Sequence, residues 1–137
     1  MPSSRPAVLV IDDERDALDA LAAILEDAGY EVLQAANGFE ALRQLGDCEG
    51  RCNLILLDLM MPVMNGWDFR RKQKAVPALA GIPVVLMSAG GRLAAATGEL
   101  DAAGYVSKPV EIDDLLDTVR RHCPVGDGVA PGAAVRG

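Results

Sequence analysis

The chain reads as an α/β protein, a parallel sheet of five strands covered by helices on both faces. Short continuous apolar runs recur at Ala7 to Ile11, Leu54 to Leu57 and Ile82 to Met87, and such runs suit strands buried on both faces. Between the runs lie segments with apolar residues at helical spacing. Strand and helix thus alternate five times, with connections long enough for parallel crossovers. Composition agrees: half of the residues are hydrophobic but only 4% are aromatic, so the core must be built from Leu, Val, Ile, Ala and Met.

Taken in order, AVLVI (7–11) is the first strand and stops at Asp12-Asp13-Glu14. From Asp16 to Ala28, Leu18, Leu21, Ala22 and Leu25 mark one helical face, and Gly29 is a natural stop. Glu31 to Ala35 is a short strand candidate. Asn37-Gly38 opens a second helix in which Phe39, Leu42 and Leu45 are expected to point the same way, followed by a loop over Gly46 to Asn53. Leu54 to Leu57 then ends in Asp58, and Pro62 and Asn65-Gly66 force a turn before the next helix, Trp67 to Ala75. Trp67 is expected to pack at the start of that helix. Its basic run, Arg70, Arg71, Lys72 and Lys74, is expected to be a solvated face.

The fourth strand ends at Ser88-Ala89. Leu93 to Ala103 is Ala-rich and helix-capable but lies among glycines. Tyr105-Val106 is a brief fifth strand ending at Ser107-Lys108-Pro109. Ile112 to His122 closes the fold as a helix with acids in its first turn, arginines in its last, and Leu115, Leu116 and Val119 as its buried stripe.

A length of 137 residues supports one domain, assigned to residues 1–123, with the Gly-, Pro- and Ala-rich segment 124–137 as a flexible tail. A formal net charge of -7 argues against direct nucleic-acid binding. No apolar run reaches the roughly 18 residues of a membrane span, and the first six residues lack the apolar segment of a signal peptide, so a cytoplasmic protein is expected. Three cysteines without a secretory signal are expected to be reduced. Cys48 and Cys52 could share a helix face, but a zinc site would need two more ligands.

The chemistry lies at the strand ends, which carry Asp12 and Asp13, Asp58, Ser88 and Lys108. In a parallel sheet these ends share one edge, so groups 45, 30 and 20 residues apart can converge. Two like charges about 4 Å apart repel by roughly 4 kcal/mol even at an effective dielectric near 20. A divalent cation resolves the repulsion, and hard oxygen ligands with room for waters and a phosphoryl oxygen describe Mg²⁺.

The DDE after the first strand, D-x-x-M-P-x-x-x-G over Asp58 to Gly66, Ser88-Ala89 and Lys108-Pro109 resemble, as an ordered set, the receiver domain of two-component response regulators. The resemblance spans about Ala7 to Cys123 and implies a flavodoxin-like, chemotaxis-regulator-like (CheY-like) fold with strand order 2-1-3-4-5. It makes Asp58 the phosphoacceptor, and Asp13, helped by Asp12, the holder of Mg²⁺ together with Asp58 and the backbone carbonyl of Met60. Lys108 pairs with a phosphoryl oxygen, Ser88 donates its hydroxyl to the phosphoryl group, and Tyr105 swings inward when Ser88 moves. The Lys108-Pro109 bond is expected to be cis.

The resemblance also supplies partners. A phosphohistidine on a sensor histidine kinase or a histidine phosphotransfer protein is the donor. The readout is a protein-binding surface made by the helix over 93–103, the strand at 105–106 and the helix over 112–122. The downstream target and homodimerisation stay open. No catalysis beyond self-phosphorylation and slow self-dephosphorylation is expected, because neither Met60 nor Gly90 looks fit to position a water. Two alternatives stand beside this reading: an interaction module indifferent to phosphorylation, and a receiver excised from a larger hybrid kinase. Ser88 to Lys108 is about two residues shorter than the family pattern, which predicts a shortened or irregular helix in the 93–103 region.

Overall fold

A computed structural model of the chain describes residues 5–48, 51–61, 64–89 and 93–124. Its elements are β1 (Ala7–Ile11), α1 (Arg15–Asp27), β2 (Glu31–Ala35), α2 (Gly38–Asp47), β3 (Leu54–Asp58), α3 (Gly66–Lys74), α4 (Pro77–Ala80), β4 (Val84–Ser88), α5 (Leu93–Glu99), β5 (Gly104–Ser107) and α6 (Ile112–His122). The five strands form one parallel sheet in the order β2-β1-β3-β4-β5. That is the topology expected from the sequence.

The strands alternate perfectly between two cores. Leu9, Ile11, Ile55, Leu57, Val84 and Leu86 face one layer with Ala41, Leu45, Phe69, Leu79, Leu93 and Ala96. Val8, Val10, Leu54, Leu56, Val85 and Met87 face the other, with Leu18, Leu21, Leu25, Leu115 and Val119. A period of two puts successive side chains on opposite faces, and here both faces are dry. β3 is buried along its whole length, so the sheet centre delivers Asp58 to the carboxyl edge on a strand with no freedom to slide.

The helix boundaries follow local chemistry. Asn37 and Asn65 cap α2 and α3, their side chains accepting from the backbone N–H groups of Glu40 (2.8 Å) and Asp68 (2.9 Å). The residues Asn-Gly at both places do two jobs, because the glycines are also sites of close approach. A Cβ on Gly66 would lie 2.7 Å from Leu59 Cδ2 and 2.9 Å from Leu59 Cα. The glycine of the Asp58 to Gly66 motif therefore lets α3 begin directly against the chain leaving β3.

Three expectations need correction, and one element was not anticipated. Phe39 is 59% exposed, and the buried stripe of α2 is Gly38, Ala41 and Leu45, because the helix starts at Gly38 and turns Phe39 outward. Arg70 does not belong to a solvated face: it is buried with Gly66, Phe69 and Gln73, the stripe at helical spacing. Cys48 ends α2 while Cys52 lies beyond it with its thiol near the Leu54 carbonyl, so the two share no helix face; all three cysteines are free. Pro77 opens a one-turn helix, α4, that has no periodic signal at so short a length.

The shortening of the 93–103 region is borne out among the described residues, where α5 spans Leu93–Glu99, 7 residues. Trp67 packs half-buried at the start of α3, as expected. The proposed tail lies, from residue 125, outside the described residues.

Candidate functional site

Asp12 follows β1 directly, and its backbone N–H still reaches across to Ala35 O (3.1 Å), which holds it at the sheet edge. It is fully buried, and its Oδ1 accepts from the Glu14 N–H (2.9 Å) at the entry to α1. Asp58 closes β3, 4% exposed, with Oδ1 accepting from the Met60 N–H (3.1 Å). Lys108, just past β5, donates from Nζ to Asp12 Oδ2 (2.8 Å) and lies 3.4 Å from Asp58 Oδ2. Its backbone N–H is tied to Ser88 O (3.0 Å), and the Lys108-Pro109 bond is cis as expected.

Asp13 is exposed, yet one carboxylate oxygen each from Asp12, Asp13 and Asp58 can be chosen so that all lie within 4.8 Å of one another. The ends of β1 and β3 thus converge on one acid cluster, with the Lys108 ammonium group from beyond β5 opposite. The donor set is entirely hard oxygen, and one of its members is open to water. Those residues fit a magnesium ion, which takes few protein carboxylates and keeps several waters.

The electrostatics express the conflict. Burial, the largest influence, pushes the Asp58 carboxyl up to about 6. The Met60 N–H bond and the Lys108 charge pull it down, while Asp12 pushes it up. Lys108 sits above the ordinary lysine range: burial pulls it down, but its bond to Asp12 and the charges of Asp58 and Asp12 together outweigh that. A lysine held protonated between two buried carboxylates compensates only part of their charge, and a cation or a phosphoryl group's own ligands would change the balance.

Ser88 ends β4 beside the site, 6% exposed, and its hydroxyl donates to Ala89 O (3.2 Å) rather than to an acid. Tyr105 is 46% exposed and therefore turned outward. Met60 presents its side chain to solvent at 68% exposure, leaving only its backbone directed at Asp58. Gly90 lies outside the described residues. Asp13, Met60, Met61, Asn65 and Trp67 line one surface hollow, so Trp67 shares it with the exposed member of the acid cluster, a placement that the sequence does not reveal.

A parallel sheet in this order, with its ligand groups beyond the carboxyl ends at the topological switch point, defines a flavodoxin-like protein whose site is an acid pocket. Residues 8–120 match the response regulator receiver domain, and the chain belongs to that family. Sporulation initiation phosphotransferase F of Bacillus subtilis (strain 168) is 32% identical over 120 residues, covering 86% of this chain and 94% of that protein. The DNA-binding dual master transcriptional regulator RpaA of Synechocystis sp. is 32% identical over 117 residues, 84% of this chain but only 48% of the regulator. Among solved structures, the chemotaxis protein CheY4 of Vibrio cholerae superposes with a TM-score of 0.80 at 29% identity, covering 86% of this chain and 98% of that one. Receiver domains of this family serve two-component and phosphorelay signalling, bind Mg²⁺ at an acidic pocket, and work with histidine kinases or phosphotransfer proteins. Among the described residues, no helix is long and apolar enough to cross a membrane.

Proposed function

We propose that Asp58 takes a phosphoryl group from a phosphohistidine and that the resulting acyl phosphate switches a protein-binding surface. The observation that carries this reading is the convergence of Asp12, Asp13 and Asp58 within 4.8 Å, with Lys108 joined to two of them. A carboxylate oxygen of Asp58 attacks phosphorus, the P–N bond of the donor breaks, and the imidazole leaves with its electron pair. Asp13, Asp12, Asp58 and the Met60 carbonyl would hold Mg²⁺, which when bound offsets the charge of the phosphoryl oxygens. Lys108 exchanges its hold on Asp58 for a phosphoryl oxygen and keeps Asp12 as its anchor. The Met60 N–H orients the carboxylate.

The added charge of roughly -1.5 to -2 needs new donors, and the Ser88 hydroxyl, the one side-chain hydroxyl on β4, would exchange its bond to the neighbouring Ala89 carbonyl for the phosphoryl group. Its rotation would open space toward which Tyr105 can move. The surface so altered is the groove between α5, β5 and α6, lined by Thr97, Tyr105, Asp114 and Arg121. Met60 offers an incoming water no polar side chain, which supports slow self-dephosphorylation; a phosphoryl half-life of only seconds would count against it. The reading places the chain in the cytoplasm, in keeping with its free thiols.

The test is incubation with Mg²⁺ and acetyl phosphate, read by intact mass and by peptide mapping after borohydride trapping. A single phosphoryl group on Asp58, lost with EDTA and in Asp58→Asn, is expected. Labelling elsewhere, or an Asp58→Asn chain that still signals normally, would overturn the assignment.

A further inference from the structure

The turn between α5 and β5 is built around a residue that should not be comfortable there. Asp101 has φ 54°, the left-handed region, where a residue with a Cβ is strained. It occupies the position after a helix end that usually belongs to glycine: the Ala102 N–H bonds to Thr97 O (3.0 Å) and the Asp101 N–H to Gly98 O (3.3 Å), the paired pattern of a Schellman cap. Such a cap leaves the last carbonyls of the helix to find partners elsewhere.

They find Arg70. Its Nε donates to Leu100 O (2.9 Å) and its Nη2 to Asp101 O (2.8 Å), while Nη1 donates to Gln73 Oε1 (2.7 Å). Gln73 in turn donates from Nε2 to Leu79 O (2.8 Å) and Ile82 O (3.1 Å), fastening the guanidinium to α4 and the entry to β4. Arg70 is 5% exposed and Gln73 fully buried, in a stripe whose other members, Gly66 and Phe69, are apolar. One helical turn away on either side, α3 adds two more contacts to the same segment: Trp67 Nε1 to Glu99 Oε1 (3.5 Å) and Lys74 Nζ to Asp101 Oδ2 (3.3 Å). Three successive turns of α3 therefore each send a donor to residues 99–101, and the first of these donors, Trp67, shares a surface hollow with Asp13.

We propose that Arg70 is a clamp that fixes the C-terminal end of α5 to α3, so that rearrangement of this helix on switching is confined to its N-terminal part. A planar fork with two carbonyls in its grip resists both translation and rotation of that end, which a single point charge would not. A helix as short as α5, 7 residues among those described, has few internal bonds with which to hold its own end against the strain at Asp101. The result is a pivot, with motion at the end that follows β4 and a fixed point at the end that leads into β5. The clamp itself rests only on the geometry; its role in switching rests on Asp58 as phosphoacceptor.

Amide hydrogen exchange of the full chain, with and without beryllofluoride and Mg²⁺, separates the two. In the unliganded state, Arg70→Met is expected to raise exchange of residues 100–103 by about 10-fold or more while β1 and β3 stay protected. If Arg70→Met does not fold, Arg70→Lys, which keeps the charge but cannot grip both carbonyls, is read in the same way. Exchange of 100–103 within about twofold of the original chain in the folded variant overturns the clamp. With beryllofluoride, residues 93–98 are expected to change in the original chain while 100–103 do not, and both segments to change in the variant. A response of 100–103 equal to that of 93–98 in the original chain overturns the pivot. An Asp58-independent or absent response defeats the phosphoacceptor reading alone, because the unliganded comparison still decides the clamp.

Discussion

Replacing Asp58 with Asn should make the metal-free protein more stable, and the gain should depend on pH. Asp58 is 4% exposed and burial is the main reason its carboxyl is pushed from 3.8 up to about 6. A folded-state pKa above the unfolded value marks stability that is complete below about pH 4 and is lost as pH rises through 6. Two pKa units at about 1.4 kcal/mol each give a penalty of about 3 kcal/mol at pH 7 and above. Asn has the same shape, accepts the Met60 N–H as before and carries no charge, while Lys108 retains Asp12. Urea unfolding in EDTA at pH 7.5 should therefore show Asp58→Asn more stable by about 2–3 kcal/mol, with the difference shrinking toward zero below about pH 4. Adding Mg²⁺ should stabilise the original chain more than the variant, by about 1.4 kcal/mol at ten times its dissociation constant. A variant no more stable than the original at pH 7.5, or a difference that ignores pH, would refute the claim that burial of this charged carboxylate costs the metal-free fold stability.

Further outcomes follow from the packing and from the surroundings of Asp58. Tyr30 is fully buried and its hydroxyl donates to Cys123 O (2.6 Å), joining the end of α6 to the α1–β2 turn; Tyr30→Phe should cost about 1–2 kcal/mol in urea unfolding. Burial pushes the same phenol up to about 12, with Cys123 adding to it and Arg120 opposing, so its contribution should be intact below about pH 10 and lost as pH climbs through 12. That loss should be absent in the Phe variant. Gly66→Ala forces a methyl against Leu59 and should cost about 1–3 kcal/mol, with slower labelling of Asp58 because Leu59 is its chain neighbour; an unchanged midpoint and rate would show that the approach is not tight. Met60→Asn, which places a hydrogen-bonding side chain at an exposed position beside the acyl phosphate, should shorten the phosphoryl lifetime several-fold at unchanged stability, as followed by loss of labelled mass.

The sheet was legible in the sequence because a strand buried on both faces must be apolar throughout, and β1, β3 and β4 have no other plausible partner arrangement than side by side under helices. The same logic placed Asp12, Asp58 and Lys108 on one edge, since parallel strands end together. Helix faces were less legible. Phe39 is apolar yet exposed, because the cap at Asn37 fixes where the first turn of α2 begins and hence which residues face inward. Arg70 reads as surface because charge usually marks solvent, although its spacing from Gly66, Phe69 and Gln73 puts it on the buried stripe and is the signal that finds it.

Sequence alone determined the class of sheet, the acids at its rim and the chemistry that oxygen ligands with a nearby ammonium can support, because those depend on residue type and on a period of two. Tertiary structure alone decided what satisfies a buried charge. Arg70 is tolerable inside because Gln73 and two carbonyls at the end of α5, some 30 residues away in the chain, accept from it, and one of those carbonyls belongs to Asp101 with its left-handed backbone. Such partners are fixed by where two helices come to rest against the same sheet, and no local pattern of residues encodes that distance.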